Sequence, residues 1–191
     1  MSQEIEIEFK NLLTKDEYAQ LLQYFNVSAN DFIEQTNDYF ETKQFDLKTN
    51  HAALRIRQKE DNYQLTLKEP NPDGAGLLET HCTLTDHEAD QWKQGHIIPK
   101  PNIDTRLKHL GIASHQLTYG GALMTKRVEM AYHDTIIVLD KSQYNGNEDY
   151  ELELEARDET YGQRIFTKLL DDFAIPKRKT PNKIERFYQS M

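Results

Sequence analysis

Two stretches of this chain alternate charged and apolar residues without interruption, and each places its charge on one side. Residues 4–10 read EIEIEFK and residues 149–155 read DYELELE. An alternation of period two marks a β-strand, in which side chains two apart share a face. Glu4, Glu6, Glu8 and Lys10 therefore line one face of the first strand, and Ile5, Ile7 and Phe9 the other. In the later strand Glu151, Glu153 and Glu155 stand opposite Leu152 and Leu154. Few folds can use strands that are apolar on one face and stacked with like charge on the other.

Further strand signals fall at 36–42, 52–59, 62–69, 77–84, 122–132 and 135–140, for about eight strands in all. Glu60 and Asp61 separate two of them as a hairpin, and Asn145 with Gly146 is a hairpin turn signal. Thr14 with Glu17, and Thr85 with Glu88, have the spacing of capping boxes. They predict helices carrying Tyr18, Leu21, Leu22 and Phe25, and then Ala89 and Trp92. A short helix is expected at 104–110, and a longer one through Tyr161, Ile165, Phe166, Leu169, Leu170 and Phe173. The last helix is expected to run to about Tyr188, with Thr180 as its N-cap and Pro181 in its first turn. Residues 71–76 form a turn cluster and residues 95–101 a connector. No linker or fixed-period repeat divides the chain, so residues 1–191 are expected to form one domain.

The other strands carry charge in the same way. Arg55 and Arg57 share a face opposite Leu54 and Ile56; Gln64, Thr66 and Lys68 oppose Tyr63, Leu65 and Leu67. Glu79 lies with His81, Arg127 lies with Thr125 and Glu129, and Asp140 ends the strand that holds Ile136 and Val138. A half-buried antiparallel sheet with a solvated outer face would explain any one strand. It explains the set less well. Like charges at spacing two repel, whereas a surface built for solubility mixes signs. The helices also need an apolar surface to cover, and only the Ile/Leu/Phe faces supply one. If helices coat those faces of a closed sheet, the charges point inward. The expected fold is thus α+β: an antiparallel eight-stranded β-barrel, or tunnel, with a charged interior and helices packed outside.

Such an interior cannot be dry, because unpaired buried charge is too costly. Carboxylates at spacing two offer the hard oxygen ligands that Mg²⁺ or Mn²⁺ prefers. Guanidinium and ammonium groups suit phosphate oxygens. A metal-complexed polyphosphate meets both demands. Repulsion among the stacked carboxylates also implies that Glu6→Gln or Glu153→Gln should hold or raise stability without metal.

Composition narrows the classes further. The formal net charge of −9 disfavours general nucleic-acid or anionic-membrane binding. No apolar run approaches a membrane span, and the N-terminus lacks the pattern of a signal peptide. The single cysteine, Cys82, cannot form an internal disulfide. A soluble cytoplasmic protein, monomeric or homodimeric, is expected.

The chain resembles the CYTH family, the triphosphate tunnel metalloenzymes, and within it the small stand-alone bacterial proteins. Glu6, Glu8 and Lys10 match the family's Glu-x-Glu-x-Lys opening. The likeness continues through Arg55 and Arg57, Lys68, Glu79, Lys126 and Arg127, Asp140, Glu151 and Glu153, and ends at Lys183. The resemblance implies that Glu6, Glu8, Glu151 and Glu153, with Asp140, bind Mg²⁺ or Mn²⁺. It implies that Lys10, Arg55, Arg57, Lys68, Arg127 and Lys183 grip phosphates, with Glu79 a further tunnel candidate. The implied activity is metal-dependent phosphoanhydride hydrolysis by metal-activated water, with no protein nucleophile. Inorganic triphosphate is the expected substrate, and ATP or thiamine triphosphate the alternatives. Class IV-type cyclisation of ATP to cyclic AMP is an alternative reaction, disfavoured because no His precedes the opening motif. A thiamine triphosphatase would use an aromatic beside the tunnel, whereas Trp92 is expected in packing. A non-catalytic polyphosphate or nucleotide binder is a further alternative, but it would need cations more than paired carboxylates.

Several residues stand outside this pattern. Glu4, Glu129 and Glu155 extend the charged faces beyond the matched positions, and Lys179 and Arg186 are weaker candidates than Lys183. His81, His87, His96, His109, His115 and His133 show no paired ligand spacing, which argues against zinc. Cys82 is expected in the core with Leu78 and Leu84.

Overall fold

The computed structural model describes residues 2–191. Its strands are β1 (Ser2–Leu13), β2 (Ile33–Thr42), β3 (Ala53–Lys59), β4 (Asn62–Pro70), β5 (Leu77–Leu84), β6 (Leu117–Tyr132), β7 (Thr135–Tyr144) and β8 (Asn147–Ala156). Its helices are α1 (Lys15–Tyr24), α2 (Asp46–Thr49), α3 (Asp86–Lys93), α4 (Pro101–His109), α5 (Glu159–Asp172) and α6 (Lys183–Gln189). The strands close an antiparallel barrel in the order β1-β5-β4-β3-β2-β6-β7-β8. The helices pack on its outside, as the charge pattern required.

The chain falls into two compact units. One holds the residues up to Ile5 and Gln35–Leu123; the other holds Glu6–Glu34 and Met124–Met191. Each has its own core. In the first, Leu54 and Ile56 of β3 and Leu65 and Leu67 of β4 pack with Trp92 of α3 and Ile103 and Leu107 of α4. Trp92 stands edge-on to Phe40 at 5.3 Å and donates its indole N–H to the Ile98 carbonyl, so it is a packing residue. In the second, Ile137 and Leu139 of β7 and Leu152 and Leu154 of β8 pack with Tyr18 and Leu21 of α1 and Ile165, Phe166 and Leu169 of α5. Burying each such leucine contributes about 1.5–3 kcal/mol. Gly162 lets α5 settle this closely, since a Cβ there would lie 2.6 Å from both the Ala156 Cβ and a Phe9 ring carbon.

Both predicted capping boxes form, with Thr14 and Thr85 accepting from the Glu17 and Glu88 amides. The Asn145–Gly146 hairpin forms with positive φ at both residues. The short α2 was not expected, and several element boundaries differ from expectation. Strand β7 runs on to Tyr144, so Asp140 lies inside it and does not end it. Helix α4 starts at Pro101, three residues before the expected 104. The last helix begins at Lys183 with Asn182 as N-cap. Thr180 is not its cap: its hydroxyl accepts from the Leu12 amide and donates to the Arg178 carbonyl, fastening the preceding segment to β1.

Candidate functional site

The faces of β7 and β8 turned away from the helices carry acid. Register pairs Arg127 with Asp140 and Asp140 with Glu151, and sets Lys10 across from Glu153 and Glu8 across from Glu155. Residues directly opposite in an antiparallel ladder share a face, so these side chains belong to one inner wall. Asp140 and Glu151 are 0% and 1% exposed, and Glu153 is 6% exposed.

Cations answer each of them. Arg127 donates Nε to Asp140 at 2.8 Å and one Nη to both Asp140 and Glu153, at 2.7 and 2.8 Å. Lys183, reaching in from the first turn of α6, lies 2.8 Å from Asp140, donates to Glu151 at 2.9 Å, and bonds Glu153 as well. One helical turn on, Arg186 donates to Asp149 at 2.9 Å and to Glu151. Sequence alone places Arg186 below Lys183 as a candidate. Its spacing of three from Lys183, which puts both on one side of a helix, was the available signal.

Protonation follows this wiring. Burial alone would raise the Asp140 and Glu153 carboxyls, but Lys183 and Arg127 more than reverse it and hold both below the ordinary carboxylate range. Glu151 is pushed up to about 7, first by burial and then by its neighbour Glu153, against the pull of Lys183 and Arg186. Glu155 also rises to about 7, through burial and then the Glu6 carboxylate, which brings those two acids together. Lys183 and Arg127 stay fully charged, because the surrounding carboxylates outweigh the cost of burial. Lys10 donates to Glu8 at 2.9 Å and also bonds the Asn182 side chain.

The inner wall of the first unit is the cationic one. Register lines up Tyr39, Arg55, Thr66 and His81 in one rung, and Asn37, Arg57, Gln64 and Thr83 in the next. Ala53, Lys68 and Glu79 form a third. Arg57 donates Nε to the Asn37 side chain at 3.0 Å, and Lys68 pairs with Glu79. The His81 ring meets Thr66 Oγ1 at 3.0 Å on one side and Glu4 at 3.1 Å on the other. Glu4, Glu79 and His81 bring one ligand atom each within 4.8 Å of the others. Ligand spacing along the sequence could not reveal this trio, because Glu4 and His81 meet only when distant strands are brought together. Cys82 is half-buried against the first core.

Oxygens of Asp140, Glu151 and Glu153 already converge on one positive centre, the Lys183 ammonium, and all are carboxylates of the kind Mg²⁺ and Mn²⁺ take.

A closed eight-stranded barrel with helices outside and buried ionic groups on its inner walls defines the fold class. The model of one family, the CYTH domain, matches residues 4–188, and the chain belongs to that family. It is 47% identical over 189 residues to the Bacillus subtilis protein named "Putative triphosphatase YjbK", covering 99% of this chain and 97% of that one. A crystal structure from Bacillus halodurans, titled a "putative adenylate cyclase", superposes with a TM-score of 0.93 at 41% identity, covering 98% of this chain and 100% of that one. A Hippeastrum structure titled as a putative adenylyl cyclase with "a dominant triphophatase activity" shares the fold, with a TM-score of 0.76 at 22% identity over 97% and 96% of the two chains. No helix among the described residues is long and apolar enough to cross a membrane.

Proposed function

We propose that this protein is a divalent-metal-dependent triphosphatase that hydrolyses a phosphoanhydride of inorganic triphosphate inside its barrel. The observation that carries the proposal is the buried carboxylate cluster of Asp140, Glu151 and Glu153, wired to Arg127, Lys183 and Arg186. A buried ionic network of this size is seldom more stable than apolar packing of equal volume. Its cost points to use. The 47% identity to a protein named "Putative triphosphatase" supports action on a triphosphate.

In this proposal Glu151, Glu153 and Asp140, with Glu6 and Glu8 of β1, hold Mg²⁺ or Mn²⁺. A bound divalent ion supplies charge for the phosphate oxygens and acidifies water. Arg55, Arg57 and Lys68, with Lys10, Arg127 and Lys183, bind the phosphate chain and neutralise charge that spreads onto the transferred group. Guanidinium groups can take two phosphate oxygens at once, which favours a chain of phosphates over a single one. The test is to incubate the protein with tripolyphosphate, ATP or thiamine triphosphate, each with Mg²⁺ or Mn²⁺, and to identify the products. Orthophosphate released fastest from tripolyphosphate, and lost in Glu153→Gln, is the expected outcome. Cyclic AMP from ATP would replace hydrolysis with cyclisation. Binding without product would leave a polyphosphate receptor.

A further inference from the structure

Lys183 was expected to grip phosphate, yet its ammonium sits among acids. It lies 2.8 Å from Asp140 and 2.9 Å from Glu151, and also pairs with Glu153. These are the oxygens assigned above to the metal. A divalent ion of this class draws its oxygen ligands to about 2.0–2.2 Å, so it would need the place that Nζ fills. A metal ion at that range and the ammonium would repel each other and compete for the same three oxygens.

The surroundings of Lys183 are unequal in strength. The segment before α6 is firmly tied: Asn11 donates to the Pro176 carbonyl and accepts from the Arg178 amide, and Arg178 makes two bonds to Glu17. Helix α6 itself has only seven residues. Its inward holds include Lys183, Arg186, the buried Phe187, and Asn145, which donates to the Phe187 carbonyl at 3.2 Å. An isolated helix this short has little stability of its own. Losing Lys183's bonds removes a large part of what seats it, while the tied segment stays in place as a hinge.

We propose that Lys183 is a built-in counter-cation that keeps the Asp140–Glu151–Glu153 oxygens assembled, and that a divalent ion displaces it and loosens α6. Metal binding and seating of the C-terminal helix are then competitive events on one oxygen set. The proposal rests on the reading that these carboxylates hold metal, but not on any turnover.

The test uses the full chain with Mn²⁺ alone and no phosphate. Mn²⁺ affinity is measured by calorimetry for the wild type and for Lys183→Gln. Amide hydrogen exchange over residues 183–190 is followed in the wild type with and without Mn²⁺. Lys183→Gln should bind Mn²⁺ about ten- to hundredfold more tightly, the worth of one charge-assisted hydrogen bond no longer broken. Mn²⁺ should speed exchange in α6 of the wild type while α5 stays protected. Equal Mn²⁺ affinity in both proteins, or weaker binding by the variant, would overturn the proposal. So would tighter binding with α6 still protected, since Lys183 would then be only a nearby positive charge. Absence of Mn²⁺ binding in both proteins would sink the metal site itself and the proposal with it. The exchange measurement needs no variant, so a failure of Lys183→Gln to fold leaves the proposal open to refutation.

Discussion

Replacing Arg127 with methionine removes the guanidinium that bonds both Asp140 and Glu153 but keeps much of the stem's volume. Both carboxylates are deeply buried, and among the described residues Lys183 is the cation left beside them. Breaking a buried pair by removing one partner costs about 3–5 kcal/mol. For a chain of 191 residues each kcal/mol moves Tm by roughly 2–4 °C, so Arg127→Met should melt about 6–20 °C lower at pH 8. The loss should depend on pH in a definite direction. In the wild type both carboxyls are depressed, so their contribution is complete above the unfolded carboxylate values and disappears only as pH falls through the depressed folded ones. In the variant burial works with less opposition, the carboxyls rise, and protonation relieves the unpaired charge as pH falls. The gap between the two proteins should therefore be widest at pH 8 and narrow towards pH 5. Adding Asp140→Asn to Arg127→Met should recover part of the loss. Thermal unfolding followed by circular dichroism at both pH values reads all of this. A Tm change of a degree or two, the same at pH 5 and pH 8, would refute the buried network.

Arg57→Ala should weaken binding of tripolyphosphate about ten- to hundredfold, the worth of one charge-assisted hydrogen bond, and weaken orthophosphate less. Lys15→Ala on the exposed side of α1 should change neither, and calorimetric titration compares the three proteins. Glu153→Gln should lower metal-free stability, because Glu153 bonds both Arg127 and Lys183; denaturant unfolding with a chelator present checks the sign. Glu155 is pushed up to about 7, so its ionisation opposes folding as pH rises from the unfolded carboxylate value through the folded one. Glu155→Gln should accordingly melt higher than wild type at pH 8, with the difference shrinking by pH 5.

The stability of Glu153→Gln separates what local pattern can and cannot say. Like charges two apart on one face predict relief when one is removed, and on an isolated strand that would hold. The barrel places three cations among those acids: Arg127 from β6, and Lys183 and Arg186 from α6. Repulsion along the strand is then the smaller effect, and loss of two charge-assisted bonds the larger.

What the sequence alone determined were features set by neighbours close in the chain. Alternation fixed which side chains share a face, Thr-x-x-Glu spacing fixed two helix starts, and Asn145–Gly146 fixed a hairpin. The charged interior followed from these, because helices can cover only the apolar faces. Tertiary structure alone decided who meets whom across the chain. Lys183 reaches Asp140, and Glu4 reaches His81, only after β1, β5, β7 and α6 are brought together. The start of α6 departs from the sequence expectation for the same reason: Thr180 has the chemistry of an N-cap, but the Leu12 amide donates to its hydroxyl. Periodicity records the direction in which a side chain points, and carries no record of the distant group it will find there.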